Sequence, residues 1–266
     1  MTDAPSSQQD PGATPPAQAS ARLSREEEAR LVRDLPPLGA DPSRTYRLGI
    51  MGGTFDPIHN GHLVAAEQAA GDLGLDVVVF VPAGVPAFKQ DRHVTSSQDR
   101  YDMTLLATAD NPRFLVSRVE VDRAGVTYTV DTLELLRRHY PSNVELYFIT
   151  GADAIIDILT WHDAGRIARL ARLVGATRPG YDLDRARARI ARSGIDFQVH
   201  YLEVPALAIS SSDLRARVAE GQSLRYLTPD PIVGLVEKRH LYERSRESYV
   251  APDALGLMGG MGRGEA

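Results

Sequence analysis

The chain has 266 residues, a formal net charge of −5 and no cysteine, which excludes disulfides and thiol chemistry. The acidic balance does not favour binding to nucleic acid, since such proteins usually carry a basic face. No apolar run reaches the roughly 18 to 20 residues of a membrane span, and the first residues lack the pattern of a secretory signal. We therefore expect a cytoplasmic protein that binds neither nucleic acid nor membrane.

The two ends of the chain differ in composition from its middle. Residues 1–45 are predicted to form an N-terminal extension that is largely disordered, because its first part is rich in Pro, Ser, Gln and Ala. Within it, Ser24 and the three glutamates that follow predict a short helix that reaches Leu35. Residues 245–266 are predicted to be a flexible tail. The functional domain is expected over residues 46–244.

Strands and helices alternate in this middle region. A Val-rich run at 76–81 has the continuous hydrophobicity of a strand buried on both faces. The other predicted elements are strands at 46–51, 114–119, 144–149 and 197–202 and helices at 61–73, 98–109, 129–139 and from 210 onwards. This order predicts an α/β fold with a doubly wound parallel sheet that helices cover on both faces.

One segment joins the first predicted strand to the first long helix, and it reads Gly52-Gly53-Thr54-Phe55-Asp56-Pro57-Ile58-His59-Asn60-Gly61-His62-Leu63. In an open α/β sheet, a ligand is expected at this junction. The glycine pair lets the main chain approach a polyphosphate, and the helix start offers unpaired N–H groups. His59 and His62 face the same way on a first helical turn, so they can stabilise charge on a reacting phosphorus.

Two other roles for this histidine pair stay open. Histidines at i and i+3 can ligate zinc, although the chain has no cysteine and no third histidine nearby to complete a ligand set. The pair can also be buried for structural reasons alone. We predict no metal site built from protein side chains.

A second motif lies about 150 residues after the first and reads Ile209-Ser210-Ser211-Ser212-Asp213-Leu214-Arg215. Ser210 and Asp213 form a pair typical of a capping box, which alone would explain Ser210. Ser211 and Ser212 then lie in the first turn of a helix, with N–H and hydroxyl groups free to meet phosphate. Arg215 follows one turn later, where it can clamp a phosphate or lie at the surface.

These motifs resemble the H-x-G-H and I-S-S-T-x-I-R signatures of the nucleotidyltransferase superfamily, with Ser212 in place of threonine. Further segments resemble bacterial nicotinate-nucleotide adenylyltransferases, and they are Gly125 to Leu133, Gly151 to Ala154, Trp161-His162, Arg178-Pro179-Gly180 and Glu203 to Ala208. The resemblance covers residues 46–242. It implies a Rossmann-like nucleotidyltransferase fold and transfer of AMP from ATP to nicotinate mononucleotide. The products would be deamido-NAD and pyrophosphate, in NAD biosynthesis.

The resemblance also implies roles for individual residues. The catalytic residues it implies are His59, His62, Lys89 and Arg215. The residues it implies for ATP binding are Gly52, Gly53, Thr54, Phe55, His59, His62, Gly151, Asp153, Ser211, Ser212 and Arg215. Those implied for nicotinate mononucleotide are Thr127, Tyr128, Thr129, Trp161 and Arg178. Mg²⁺ is expected to bind mainly through the ATP phosphates. Phe88 departs from the family, which often has a polar or indole side chain there, and this puts the contribution of residue 88 in doubt.

Some of these assignments have structural alternatives. Asp153 follows a strand end, where a carboxylate can accept from ribose hydroxyls, and it can equally cap a helix. Trp161 can stack on the pyridine ring or fill the core. Main-chain N–H groups of residues 127–129 precede a helix and can receive the nicotinate carboxylate.

Rival functions also exist for this fold. A pantetheine-phosphate adenylyltransferase or a cytidylyltransferase shares the first motif but is not expected to share the later segments. A catalytically silent nucleotide sensor would keep the fold, and the intact His59, His62, Lys89 and Arg215 argue against it. The sequence leaves a homo-oligomer open.

Overall fold

The computed structural model describes residues 23–87, 94–177, 182–205 and 207–243. The strands are β1 (Tyr46–Gly53), β2 (Val77–Pro82), β3 (Val85–Pro86), β4 (Phe114–Val116), β5 (Val126–Thr127), β6 (Val144–Gly151), β7 (Arg172–Thr177) and β8 (Val199–Glu203). The α-helices are α1 (Arg25–Leu31), α2 (Asn60–Asp72), α3 (Ser97–Thr108), α4 (Thr129–His139), α5 (Ala152–Asp157), α6 (Ala164–Leu170), α7 (Leu183–Arg192), α8 (Ser211–Ala219) and α9 (Asp230–Lys238). A 3₁₀ helix at Ile158–Thr160 follows α5.

A six-stranded parallel sheet forms the centre, in the order β4-β2-β1-β6-β7-β8, and β3 pairs with β5 in a separate two-stranded sheet. The chain builds outward from β1 through β2 and β4 on one side, and from β6 through β7 and β8 on the other. The order therefore reverses between β1 and β6, which opens a crevice at the carboxyl ends of these two strands. The prediction of an α/β fold with a doubly wound parallel sheet is confirmed.

Helices cover both faces of the sheet. Along β2, Val77, Val79 and Val81 belong to one buried cluster, whereas Val78 and Phe80 belong to another. Because side chains alternate along a strand, these two clusters lie on opposite faces. Helices α1, α4, α6 and α7 contribute to the first cluster, and α2, α3, α8 and α9 contribute to the second. Both faces are thus buried, as the continuous valine run predicts.

Most predicted elements are present, with shifted ends. Helix α4 spans the predicted residues 129–139, but β4 ends at Val116 instead of residue 119. The short helices α5 and α6, of six and seven residues, lack the length that gives a clear periodic pattern. Among the described residues, no helix is both long enough and apolar enough to cross a membrane.

Residues 23–45 pack on the domain. The predicted helix is present as α1, capped reciprocally by Ser24 and Glu27, but it ends at Leu31 instead of Leu35. Leu31 and Leu35 are both buried in the first cluster. These leucines give the segment apolar surface to bury. Residues 1–22 and the tail from 244 lie outside the described residues, and the boundary at residue 45 stays a prediction.

Candidate active site

A cavity of about 570 Å³ lies at the carboxyl ends of β1 and β6, where the strand order reverses. Residues predicted to bind ATP or nicotinate mononucleotide line it together, and they are Gly52, Gly53, Thr54, His62, Thr127, Tyr128, Thr129, Gly151 and Trp161. The sequence motifs that lie far apart in the chain thus meet at one crevice. We name two ends of the cavity after the ligands predicted there: the phosphate end at the β1–α2 loop and the mononucleotide end at the start of α4.

The phosphate end is shaped by the loop from Gly52 to His62. Phe55 has a φ of +51°, and its ring is buried against the ring of His62 at a centroid distance of 5.1 Å. A Cβ on Gly53 would lie 2.8 Å from the Phe55 ring, so glycine is needed there for this packing. Phe55 therefore shapes the loop from inside and does not line the cavity.

The two histidines form a stacked pair at the N-terminus of α2. Their ring centroids are 3.7 Å apart, with an angle of 25° between the ring planes. His59 caps the helix, and its main-chain N–H donates to Nδ1 of His62 at 3.2 Å. A main-chain N–H can only donate, so Nδ1 of His62 must accept and its proton must sit on Nε2. His62 lines the cavity and can therefore act there as a hydrogen-bond donor.

Gly61 makes room for this pair. A Cβ at this position would lie 3.1 Å from Nδ1 of His59, closer than an ordinary van der Waals contact. The spacing H-x-G-H thus has a steric reason, since a larger residue would push the His59 ring away from its place under His62.

The second motif packs directly against the first. Ser210 caps α8 by accepting from the N–H of Asp213 at 3.1 Å. Ser211 Oγ donates to the carbonyl of Pro57 at 2.9 Å, and Arg215 Nη1 donates to the carbonyl of Asp56 at 2.6 Å. These bonds fix the β1–α2 loop from outside.

This arrangement differs in part from what the sequence predicts. The hydroxyl of Ser211 was expected to be free for phosphate, but it is engaged by the first motif because Pro57 offers a carbonyl in reach. Arg215 Nη2 also donates to Ser212 Oγ at 3.2 Å. Of the described residues predicted to bind ATP, those that do not line the cavity are Phe55, His59, Ser211, Ser212 and Arg215. Their roles at the phosphates stay predictions.

At the mononucleotide end, residues 127–129 enter α4. Thr127 belongs to β5, Tyr128 is the N-cap, and Thr129 is the first helical residue. The first N–H groups of a helix have no acceptor within the helix, so they are available to an anion. The predicted position of these N–H groups at a helix start is therefore present, and it faces the cavity.

Trp161 packs on the core, and its predicted stacking on the pyridine ring stays a prediction. The ring is partly buried and packs edge-on against Phe148, with centroids 6.0 Å apart and an interplanar angle of 83°. It also lines the cavity, as does His162, whose ring lies 4.8 Å from that of Tyr128. The indole thus belongs both to the core packing and to the cavity wall.

Comparison with known proteins agrees with this geometry. Residues 50–217 match the family model described as cytidylyltransferase-like. A relative from Frankia alni, named "Probable nicotinate-nucleotide adenylyltransferase", is 57% identical over 193 residues, which cover 73% of this chain and 98% of the relative. A relative of the same name from Mycolicibacterium vanbaalenii is 53% identical over 205 residues, covering 77% of this chain and 95% of the relative. The chain belongs to the nicotinate-nucleotide adenylyltransferase family.

A solved structure shows the same fold. The Plasmodium falciparum nicotinic acid mononucleotide adenylyltransferase complexed with NaAD has a TM-score of 0.61 and 19% identity, and the likeness covers 74% of this chain and 97% of that one. At this level of identity the likeness shows the fold alone.

One cavity residue of this family member was missed by the sequence analysis. Glu120 is buried, and its Oε1 accepts from the Thr132 hydroxyl at 2.7 Å. Burial raises the pKa of the Glu120 carboxyl, and hydrogen bonds from Thr132 and Thr127 oppose the rise. A signal existed, because Glu120 directly follows the predicted strand 114–119 and charged groups at such strand ends face the crevice.

Arg100 was also missed, and no local pattern could have found it. Its side chain is fully buried and donates to three main-chain carbonyls, those of Thr54 at 2.8 Å, Gly84 at 2.8 Å and Thr95 at 2.9 Å. It thereby joins the glycine loop to two other segments. The partners are up to 46 residues away in sequence, which local patterns do not encode.

Several predicted site residues cannot be placed. Lys89, Phe88 and Arg178 lie outside the described residues. Asp153 lies in the first turn of α5, directly after β6. Among the side chains that the structure describes, no three from His, Asp and Glu cluster as a metal site would require.

Proposed function

We propose that this protein transfers AMP from ATP to nicotinate mononucleotide, forming deamido-NAD and pyrophosphate in NAD biosynthesis. One observation carries the proposal: a single crevice holds a glycine and histidine loop at one end and a helix N-terminus with an indole at the other. The two ends suit the triphosphate of one substrate and the carboxylate and ring of the second. The names of the bacterial relatives support the same reaction.

The reaction needs no nucleophile from the protein. A phosphate oxygen of the mononucleotide attacks the α-phosphorus of ATP in line, a new P–O bond forms, and the bond to pyrophosphate breaks. The protein therefore acts by positioning both substrates and by stabilising charge that develops on phosphate oxygens. Mg²⁺ would enter with the ATP substrate and would offset negative charge on its phosphates.

His62 is the donor best placed for this charge. Its Nδ1 accepts from the His59 N–H, so the ring group that donates to a phosphate oxygen in the cavity is Nε2–H. His59 supports the ring of His62 by stacking. We assign Lys89, Ser211, Ser212 and Arg215 to the departing phosphates. Arg215 has five N–H donors, and those not bound to Asp56 and Ser212 can meet an anion.

The remaining assignments concern the two nucleosides. Residues 127–129 receive the nicotinate carboxylate, Trp161 stacks on the pyridine, and Arg178 meets the mononucleotide phosphate. Gly151, which ends β6, and Asp153, in the first turn of α5, contact the adenosine, with Asp153 accepting from ribose hydroxyls. Helix α4 points its N-terminus at the carboxylate, and its partial positive charge favours an anion there.

The test is pyrophosphate release by the purified protein with Mg²⁺, where ATP is offered with nicotinate mononucleotide, nicotinamide mononucleotide or phosphopantetheine. A parallel series replaces ATP with CTP. Chromatography should identify deamido-NAD as the product of the first pair, at the highest kcat/KM of the set. Preference for phosphopantetheine or CTP would assign a rival within the fold. Nucleotide binding with no pyrophosphate from any pair would indicate a sensor.

A further inference from the structure

A segment before the catalytic domain contacts the chain just after β4, which leads into the wall of the cavity. We name residues 24–36 the N-terminal brace; it comprises α1 and the turn that follows it. The brace lies outside residues 50–217, which match the family model. Its contacts with the domain are therefore additional to those that the matched region makes by itself.

Asp34 makes the contact of the brace that leads toward the cavity. Its Oδ1 accepts from the hydroxyl of Ser117 at 2.7 Å, and its Oδ2 accepts from the main-chain N–H of Arg118 at 2.7 Å. Ser117 is fully buried and directly follows β4. A carboxylate with two short hydrogen bonds, one of them to the main chain, fixes the point at which the chain leaves the sheet.

The turn that Asp34 holds runs on to the cavity. Ser117 Oγ also accepts from the N–H of Val119 at 3.2 Å, and Glu120 comes next. Glu120 lines the cavity and accepts from Thr132, which lies on the first turns of α4 and lines the cavity as well. The start of α4 is the place proposed for the nicotinate carboxylate.

Close packing prevents this turn from moving alone. A Cβ on Gly84 would lie 2.2 Å from the carbonyl oxygen of Glu120, so the two main chains are in direct contact. A shift at Ser117 must therefore displace Glu120 against the segment after β2 or pull on Thr132. Packed interiors transmit such shifts because they hold few voids.

The brace also contacts the C-terminal end of α4. Tyr140, at the C-cap of this helix, donates its hydroxyl to the carbonyl of Pro36 at 2.9 Å. Arg138 pairs with Glu28 at 2.7 Å on the surface. The brace thus contacts α4 directly at one end and, through residues 117–120, indirectly at the other.

We propose that Asp34 is a positioning residue for the mononucleotide end of the cavity, acting through Ser117 and Arg118 on Glu120 and Thr132. The identity of the substrate rests on the proposed function. The path from Asp34 to the wall does not, since it consists of contacts within the chain.

Steady-state kinetics of the full chain tests the proposal with Asp34→Ala and Ser117→Ala. We expect the KM for nicotinate mononucleotide to rise about five- to tenfold in both variants, a part of what losing a charge-assisted hydrogen bond can cost. The KM for ATP should change less than about twofold. Asp34→Asn should recover much of the loss, because its carboxamide can accept from Arg118 and donate to the Ser117 hydroxyl.

Glu26→Ala is the matched control, because it removes the same charge from an exposed position of α1. Both of its KM values should equal those of wild type. A purely structural role of Asp34 would lower kcat in proportion to the folded fraction and leave both KM values unchanged. That result in Asp34→Ala, or an equal rise in both KM values, overturns the proposal.

Hydrogen exchange without substrates separates this proposal from the proposed function. In Asp34→Ala, amides of residues 117–120 and 129–132 should exchange faster than in wild type, while those of β7 and β8 keep their rates. Unchanged exchange at 129–132, or an equal acceleration everywhere, overturns the positioning role. If wild type forms no dinucleotide, the proposed function fails, and the exchange pattern still decides whether Asp34 holds the wall.

Discussion

The two ends of the cavity are built in different ways. The phosphate end comes from one continuous loop, residues 52–62, whose glycines, cap and ring stacking are set by neighbours in sequence. The mononucleotide end comes from residues 120, 127–132 and 161, which side-chain contacts hold together from several elements. A site made by a local run can be recognised from a sequence motif. A site made by distant contacts can be recognised only once the fold is known. The residues of the mononucleotide end can therefore vary while the motif of the phosphate end is kept.

The sharpest test of the phosphate end is His62→Ala. We expect kcat to fall at least ~100-fold, the scale of removing one donor from a transition state, while ATP binding weakens much less. His62→Gln is the control, because glutamine at this position can still accept from the His59 N–H as in a capping box. It should keep the melting temperature of wild type and remain slow. A near wild-type rate in well-folded His62→Ala would refute the catalytic assignment.

The corresponding test of the mononucleotide end compares two substrates, nicotinate mononucleotide, which carries a carboxylate, and nicotinamide mononucleotide, which carries a carboxamide. The main-chain N–H groups at the N-terminus of α4 can only donate, so a carboxylate can accept from each, whereas the NH₂ of a carboxamide would face another N–H. Such mismatches of buried polar groups cost roughly 1–3 kcal/mol each. The kcat/KM for nicotinate mononucleotide should therefore exceed that for nicotinamide mononucleotide by at least ~100-fold. Equal use of both mononucleotides at saturating ATP would contradict binding of the carboxylate by these main-chain N–H groups.

Trp161→Ala separates affinity from discrimination at the same end. Stacking should favour either pyridine ring, so the KM for both mononucleotides should rise about tenfold, with their ratio mostly kept. Trp161→Phe, which retains a ring, should lie between this variant and wild type. A large change in the acid-to-amide ratio would show that the indole itself discriminates between the two.

Glu120→Gln tests whether burial of the Glu120 carboxyl makes the stability of the fold depend on pH. Burial raises the pKa of Glu120 in the folded chain above its value in the unfolded chain, so the folded state keeps its proton to higher pH. Wild-type stability should then fall as pH rises between the two pKa values, by about 1.4 kcal/mol per pH unit from this group. The variant has no such proton and should lack this decline. Urea denaturation from pH 4 to pH 8 measures it, and parallel curves would refute the assigned cause.

The smallest effect is expected from a deletion outside both ends of the cavity. Deletion of residues 1–22 should leave activity and melting temperature nearly unchanged, because their composition offers little apolar surface to bury. Thermal melts and turnover of the shortened protein measure this. A large loss of either would show that the boundary between dispensable and docked residues lies earlier than residue 23.

The sequence predicts more of the phosphate end than of the mononucleotide end, and the reason is physical. The β1–α2 loop, the alternation of elements and both ends of α4 follow from patterns a few residues long. In contrast, β4 ends at Val116, and the next residue, Ser117, binds Asp34, which lies 83 residues away in sequence. Arg100 and Glu120 likewise act through distant partners. The roles of Lys89 and Arg178 stay predictions, as they lie outside the described residues.

The bonds between the two motifs have a consequence for the order of events during synthesis. Ser211 and Arg215 reach carbonyls 154 and 159 residues earlier in the chain. Contacts over such separations close large loops and tend to form late in folding. A growing chain exposes the glycine and histidine loop long before α8 leaves the ribosome. We therefore expect a nascent chain to bind ATP only when almost the whole domain has been synthesised.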